Sequence, residues 1–274
     1  MKIQRILVAL DASPPSLAAL ETAVNLAERL DAELQGLFVE DINLLRLAQL
    51  PFARELRFPS HAAQEVDTPQ MEEQLRGQAA QAQRLLRQLA ESRNITYSFT
   101  VVRGVVAASL LKATLDSDLL VLGRASHSLV RTKRLGSTAQ TAVTQAERSV
   151  LLVHPHADLN RPPLLIYDSS EAAERALSVA GSLVQRNGRL YILLYLADVD
   201  AAQAAIDAIE TQLAARNVEA VYRRLYDVQP KDLIDFINES ENSLLILSDR
   251  YEQFPPAVIR RLAEDLTCPV LVVR

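Results

Sequence analysis

The chain has 274 residues, 49% hydrophobic and 23% charged, enough to bury two cores of ordinary domain size. Its net charge of -5 excludes a general nucleic-acid binder, which needs a basic footprint, and its one cysteine, Cys268, excludes an internal disulfide framework. The early apolar run ILVAL at 6–10 is too short for a signal-peptide core and no stretch approaches a membrane span, so a cytoplasmic protein is expected, with neither membrane nor nucleic acid as partner.

In chain order, short apolar runs alternate with segments of helical spacing, the pattern of a parallel sheet covered on both faces. Strands are expected at Arg5 to Leu10, Ala32 to Val39, Thr96 to Val102, Leu119 to Leu122 and Val150 to Val153. Helices are expected at Ser16 to Leu30, Met71 to Arg93, Ala107 to Leu115 and Ser137 to Glu147. The second half repeats the plan, with strands at Leu164 to Tyr167, Arg189 to Tyr195, Ala220 to Tyr226, Leu244 to Leu247 and Val270 to Val273. Each copy is expected to hold five strands and four helices.

The repeat is written in the residues themselves. ILVALDAS at 6–13 lies over LLIYDSS at 164–170, which sets Asp11 over Asp168. LFVED at 37–41 lies over LYLAD at 194–198, and SVLLVH at 149–154 resembles PVLVVR at 269–274. A period this long means two fused copies of one domain, not a solenoid. The proline-rich HPHADLNRPP at 154–163 reads as the linker, dividing the chain into domains at 1–157 and 158–274. Residues 42–70 have no counterpart in the second copy, and their Leu44, Leu45, Leu47, Leu50, Phe52, Leu56 and Phe58 are expected to pack on their own domain or across the two copies. A lid or a partner-binding patch is the alternative.

The segment with chemistry is GRASHSLVRTKRLGSTAQ at 123–140. Gly123 ends an apolar strand, and Gly136, Ser137 and Thr138 open a helix; glycine lets backbone N–H groups approach a phosphate, and the first turn of a helix faces it with unpaired N–H groups and a favourable dipole. Arg124, Arg131, Lys133 and Arg134 place positive charge there, and no acidic residue lies between 119 and 146. In a sheet of order 3-2-1-4-5 the strand order reverses between strands one and four, so the loop at Asp11 faces the loop at Gly123. Asp11 is then placed to hold a ribose hydroxyl or a phosphate-bound magnesium ion, and the backbone near Val39 to meet an adenine edge. The second copy has Ser248 in place of Gly123, Pro255 and Pro256 near the place of the Gly-Ser pair, and added acidic residues, which leaves Asp168 as a turn or cap residue. His154 and His156 flank Pro155 without a completing metal ligand, and His127 lies in the glycine loop.

These motifs resemble the universal stress protein family in tandem form. Its phosphate motif is Gly, two residues, Gly, nine residues, Gly, then Ser or Thr; Gly123, Gly136 and Ser137 match it, and Ser126 replaces the second glycine. VALDAS matches the first-strand motif with Asp11 at the acidic position, and Val39 matches the adenine-side valine. The resemblance implies two α/β, flavodoxin-like (Rossmann-like) domains, each a five-stranded parallel sheet of order 3-2-1-4-5 flanked by helices. It also implies ATP or another adenine nucleotide, with or without Mg2+, at Asp11, Val39, Gly123, Ser126, Gly136, Ser137 and Thr138 in the first domain. Domains pair through their last strands within the chain, and a homodimer of chains is compatible with this. The expected role is regulatory rather than catalytic, acting through a protein partner in a stress response. A nucleotide-independent scaffold is the first alternative and slow ATP hydrolysis the second.

Overall fold

The computed structural model describes residues 2–50, 54–57, 62–65, 68–124, 135–155, 159–184, 188–196, 198–225, 229–240, 242–250 and 255–274. Its first half contains β1 (Arg5–Leu10), α1 (Pro14–Leu30), β2 (Glu33–Asp41), α2 (Ile42–Ala48), β3 (Arg54–Arg57), β4 (Ala62–Glu65), α3 (Thr68–Glu91), β5 (Tyr97–Gly104), α4 (Val106–Thr114), β6 (Leu119–Gly123), α5 (Ser137–Gln145) and β7 (Ser149–Val153). The second half contains β8 (Leu164–Tyr167), α6 (Glu171–Leu183), β9 (Arg189–Leu194), α7 (Val199–Ala214), β10 (Glu219–Arg224), α8 (Pro230–Glu239), β11 (Leu245–Ser248), α9 (Pro256–Asp265) and β12 (Val270–Val273).

The described strands form a ten-stranded sheet in the order β10-β9-β8-β11-β12-β7-β6-β1-β2-β5. Each half is a parallel five-stranded set of order 3-2-1-4-5, and the two sets meet where β12 pairs antiparallel with β7. The pleat sends alternate residues to opposite faces. Ile6 and Val8 of β1 join the core under α1, α3, α6 and α7, while Leu7 joins the core under α4, α5, α8 and α9. Both cores run through both halves, so the molecule is three layers around one sheet. At the junction Val270 faces Leu152, Leu271 faces Leu151 and Val272 faces Val150, all essentially without exposure.

The turns that start the helices repeat between the halves. Ser13 caps α1 by accepting from Ser16 N–H, and Ser170 caps α6 by accepting from Ala173 N–H. Just before each cap a carboxylate closes a short turn: Asp11 Oδ1 accepts from Ser13 N–H at 3.0 Å, and Asp168 Oδ1 from Ser170 N–H at 3.1 Å. The residue between lies in the left-handed region in both, Ala12 at φ 59 and Ser169 at φ 62. That conformation costs a non-glycine residue about 1 kcal/mol, and the side-chain bond offsets it. Asp168 is therefore the turn residue expected of it.

The inserted segment departs from expectation. It is not an irregular loop: α2 follows β2 directly, β3 and β4 form an antiparallel hairpin, and α3 begins at Thr68 rather than Met71. Asp41 starts α2 by accepting from Asn43 N–H at 2.9 Å. Leu45 and Ala48 are buried, whereas Leu44, Leu47 and Leu50 are exposed by 42%, 54% and 42%, so the expected packing holds for one face of α2 only. Phe52 and Phe58, and the side chain of Leu56, lie outside the described set, as does the 157/158 domain boundary.

Candidate functional site

Beyond the carboxyl ends of β1, β2 and β6, where the strand order of the first half reverses, lies a cavity of about 330 Å³. Its wall includes Asp11, Val39, Gly123, Gly136 and Thr138, which bring five of the seven sequence-selected residues to one place. Ser137 is exposed at the first turn of α5 and is not part of the wall. Ser126 and His127, with Arg131, Lys133 and Arg134, lie outside the described residues.

The chemistry is concentrated at the start of α5. Its N-cap Gly136 has φ -59 and ψ 151 and offers no side-chain cap. That φ suits any residue, so glycine contributes here by leaving the first turn uncovered. The N–H groups of Ser137, Thr138 and Ala139 have no partner among the described residues; the first return bond runs from Gln140 N–H to Gly136 O at 2.9 Å. Three unpaired donors and the positive end of the helix dipole converge on the cavity rim.

Gly123 is required for a different reason from the one its motif suggests. A Cβ there would lie 2.5 Å from both the carbonyl carbon and the oxygen of Pro15. The constraint is backbone packing of β6 against the first turn of α1, at a glycine whose φ is not positive. Asp11 is an exposed residue of the cavity wall; one carboxylate oxygen closes the turn and the other has no partner among the described residues. Among the described residues no group of three or more His, Cys, Asp or Glu side chains could hold a metal ion by itself.

Sequence reasoning missed the opposite wall. Leu44 of α2, Leu75 and Gln78 of α3, and Val106 and Leu110 of α4 also line the cavity. Helical spacing marked the segments of Leu75, Gln78 and Leu110 as helices but not that of Leu44, and only tertiary packing, of α2 on α3 and β5 and of α3 and α4 on β2, brings them to the site. Of the described insertion residues, Leu44 lines the cavity.

Arg124 also differs from expectation. Its Nη1 donates to Ala263 O at 3.1 Å and to Leu266 O, so it caps the C-terminus of α9 in the second half. Burial pushes its guanidinium down to about 10, against the opposing pull of Cys268, Asp265 and Glu264. His154, read from the sequence as a linker residue, has Nε2 3.0 Å from the same Leu266 O. A carbonyl only accepts, so Nε2 carries a hydrogen; burial, and then Arg124, hold the pKa down to about 4, so the ring is neutral at pH 7. Cys268, half-buried, is pushed up to about 11, first by burial, which keeps it a thiol at neutral pH.

A model of the universal stress protein family matches residues 2–154. This chain belongs to that family. A universal stress protein of Methanocaldococcus jannaschii is 25% identical over 152 residues, 55% of this chain and 81% of its own. The crystal structure of a universal stress protein from Archaeoglobus fulgidus superposes over 100% of this chain and 99% of its own with a TM-score of 0.76 at 18% identity, which shows a shared fold over both halves. A universal stress protein solved in complex with cAMP is similar over 57% of this chain and 99% of its own, at 20% identity and a TM-score of 0.41. No described helix is long and apolar enough to cross a membrane.

Proposed function

We propose that this universal stress protein binds an adenine nucleotide, ATP with or without Mg2+, in its first domain (1–157), and that the second domain (158–274) has lost the site. One observation carries this reading: a single cavity joins Asp11, Val39, Gly123, Gly136 and Thr138 beneath an uncapped helix with three unpaired N–H groups. The residues fit the ligand. The cavity lies within the range of about 300–1,000 Å³ usual for small-molecule sites. The apolar wall of Val39, Leu44, Leu75 and Leu110 suits a base, the α5 N-terminus suits phosphate oxygens, and the second carboxylate oxygen of Asp11 suits a ribose hydroxyl or a phosphate-bound magnesium ion. Thr138 on the wall and Ser137 at the first turn of α5 add hydroxyls on the phosphate side, and the family motif adds Ser126 to the proposed ligand residues.

In the second domain the same positions cannot serve. Pro255 stands at the N-cap of α9, Pro256 has no N–H to offer, and Val258 N–H returns to Pro255 O at 2.7 Å. The role we infer is regulatory and cytoplasmic, with nucleotide occupancy read by a protein partner through α2 and the turn after it, where Leu44 touches the cavity while Leu47 and Leu50 are exposed. The same exposed leucines favour a second reading, a nucleotide-independent scaffold, which predicts hydrophobic-dye binding indifferent to ATP.

The test is calorimetric titration of ATP and magnesium into the wild type and Gly136→Asp. One equivalent should bind the wild type. The aspartate, at an N-cap, satisfies the α5 donors itself and repels phosphate, so affinity should fall at least about a hundredfold while the helix gains about 0.5–1 kcal/mol of stability. Failure of the wild type to bind would leave the scaffold reading.

A further inference from the structure

Arg124 stands on two surfaces at once. It lines the cavity of the first half, one residue beyond Gly123, and it reaches the second half through a single nitrogen. Nη1 contributes both contacts to α9, to Ala263 O and Leu266 O. A guanidinium carries five N–H donors in a planar fork, so Nε and Nη2 keep three, and these have no partner among the described residues. They are not sealed from solvent either, for neither atom is among the buried polar atoms left unpaired.

The corresponding position in the second half shows what is particular here. Arg124 N–H donates to Val153 O at 2.9 Å, and Asp249 N–H makes the same bond to Val273 O at 3.1 Å, so the two residues are structural counterparts. Asp249 instead pairs with Arg274 at 3.3 Å. The cation that caps α5 on that side is Arg274, which donates to Val143 O and to Arg148 O at 3.0 Å. Each half thus caps a helix of the other, and Arg274 too lines a cavity, but among the described residues it is Arg124 whose cavity also holds the start of a helix with unpaired N–H groups.

We propose, resting on the nucleotide reading, that Arg124 is an anion-binding residue of the first-half cavity held in position by the terminal carbonyls of α9. The second half contributes to the site by fixing this side chain. A guanidinium tethered by Nη1 has lost most of its rotamer freedom before a ligand arrives, so its free donors meet a phosphate oxygen at little further entropic cost. Thermodynamic reciprocity adds a consequence: if α9 holds Arg124 for the ligand, the ligand strengthens the hold of Arg124 on α9.

The test uses the full chain, with ATP, tripolyphosphate and adenosine as separate probes. Arg124→Gln should weaken ATP and tripolyphosphate by about ten- to a hundredfold, the loss of a charge-assisted contact, and leave adenosine affinity unchanged. Arg124→Lys should recover part of the phosphate affinity. In the wild type, hydrogen exchange at residues 263–268 should slow when ATP binds, a readout that stands even if the variants fold poorly. Unchanged ATP affinity in Arg124→Gln, or ATP binding without slowed exchange, overturns the proposal and leaves the nucleotide reading intact. Absence of binding by ATP and by tripolyphosphate in the wild type overturns both.

Discussion

The helices α5 and α9 occupy equivalent places in the two halves, each between the fourth and fifth strand of its parallel set, and they begin in opposite ways. Helix α5 starts at Gly136 with three N–H groups unpaired; α9 starts at a Pro-Pro pair that removes donors and turns Val258 N–H back on the chain. The strand-one turns, by contrast, are nearly superimposable in their bonding at Asp11 and Asp168. An acidic residue after the first strand is therefore kept for the turn in both halves. The two halves part at the start of the helix after strand four, open in α5 and closed by proline in α9.

That comparison rests on the two halves being one body, and the junction is where it breaks most easily. Leu271→Asp places a carboxylate against Leu151 at a position 1% exposed. We expect a loss of about 4 kcal/mol or more, seen in urea denaturation, because the charge finds no partner there. Unchanged stability would mean that the halves do not depend on the β7–β12 pairing.

The next sharpening concerns the strand ends. Gly123→Ala must displace the backbone of Pro15 and should cost about 1–3 kcal/mol. Its counterpart Ser248 is fully buried with a hydroxyl that has no partner, so Ser248→Ala should leave stability equal or raise it by about 1 kcal/mol. Opposite signs in thermal or urea melts support the distinction; equal losses would refute it.

The two ends of the junction differ in their response to pH. His154 has a folded pKa near 4, below its ordinary value of 6.5, so between those values the unfolded chain takes up a proton that the folded chain refuses. The stability is complete above about pH 6.5 and is lost as pH falls towards 4, by about 1–2 kcal/mol for a side chain that is partly exposed. Its counterpart Arg274 does not titrate in this window. Urea midpoints at pH 7, 5.5 and 4.5 should converge between wild type and His154→Gln as the pH falls; parallel curves would exclude His154 as the source.

Much was legible from local pattern. The strand order came with the family resemblance; buried strands such as LLVL at 119–122, the offset repeat of ILVALDAS on LLIYDSS, and the Gly123 to Ser137 spacing led to a duplicated α/β fold and to five residues that the cavity gathers. These follow from chain-local causes: strand alternation, helix spacing, and turn and cap chemistry that act within a few residues. Tertiary structure alone decided the rest. Gly123 answers to Pro15 across more than 100 residues, Arg124 and His154 answer to carbonyls at the end of α9, and Leu44, Leu75 and Gln78 reach the cavity because α3 packs on β2 and α2 packs on α3 and β5. A residue's type and neighbours in sequence determine what bonds it can make, but which partner takes them depends on contacts that exist only once the sheet has assembled.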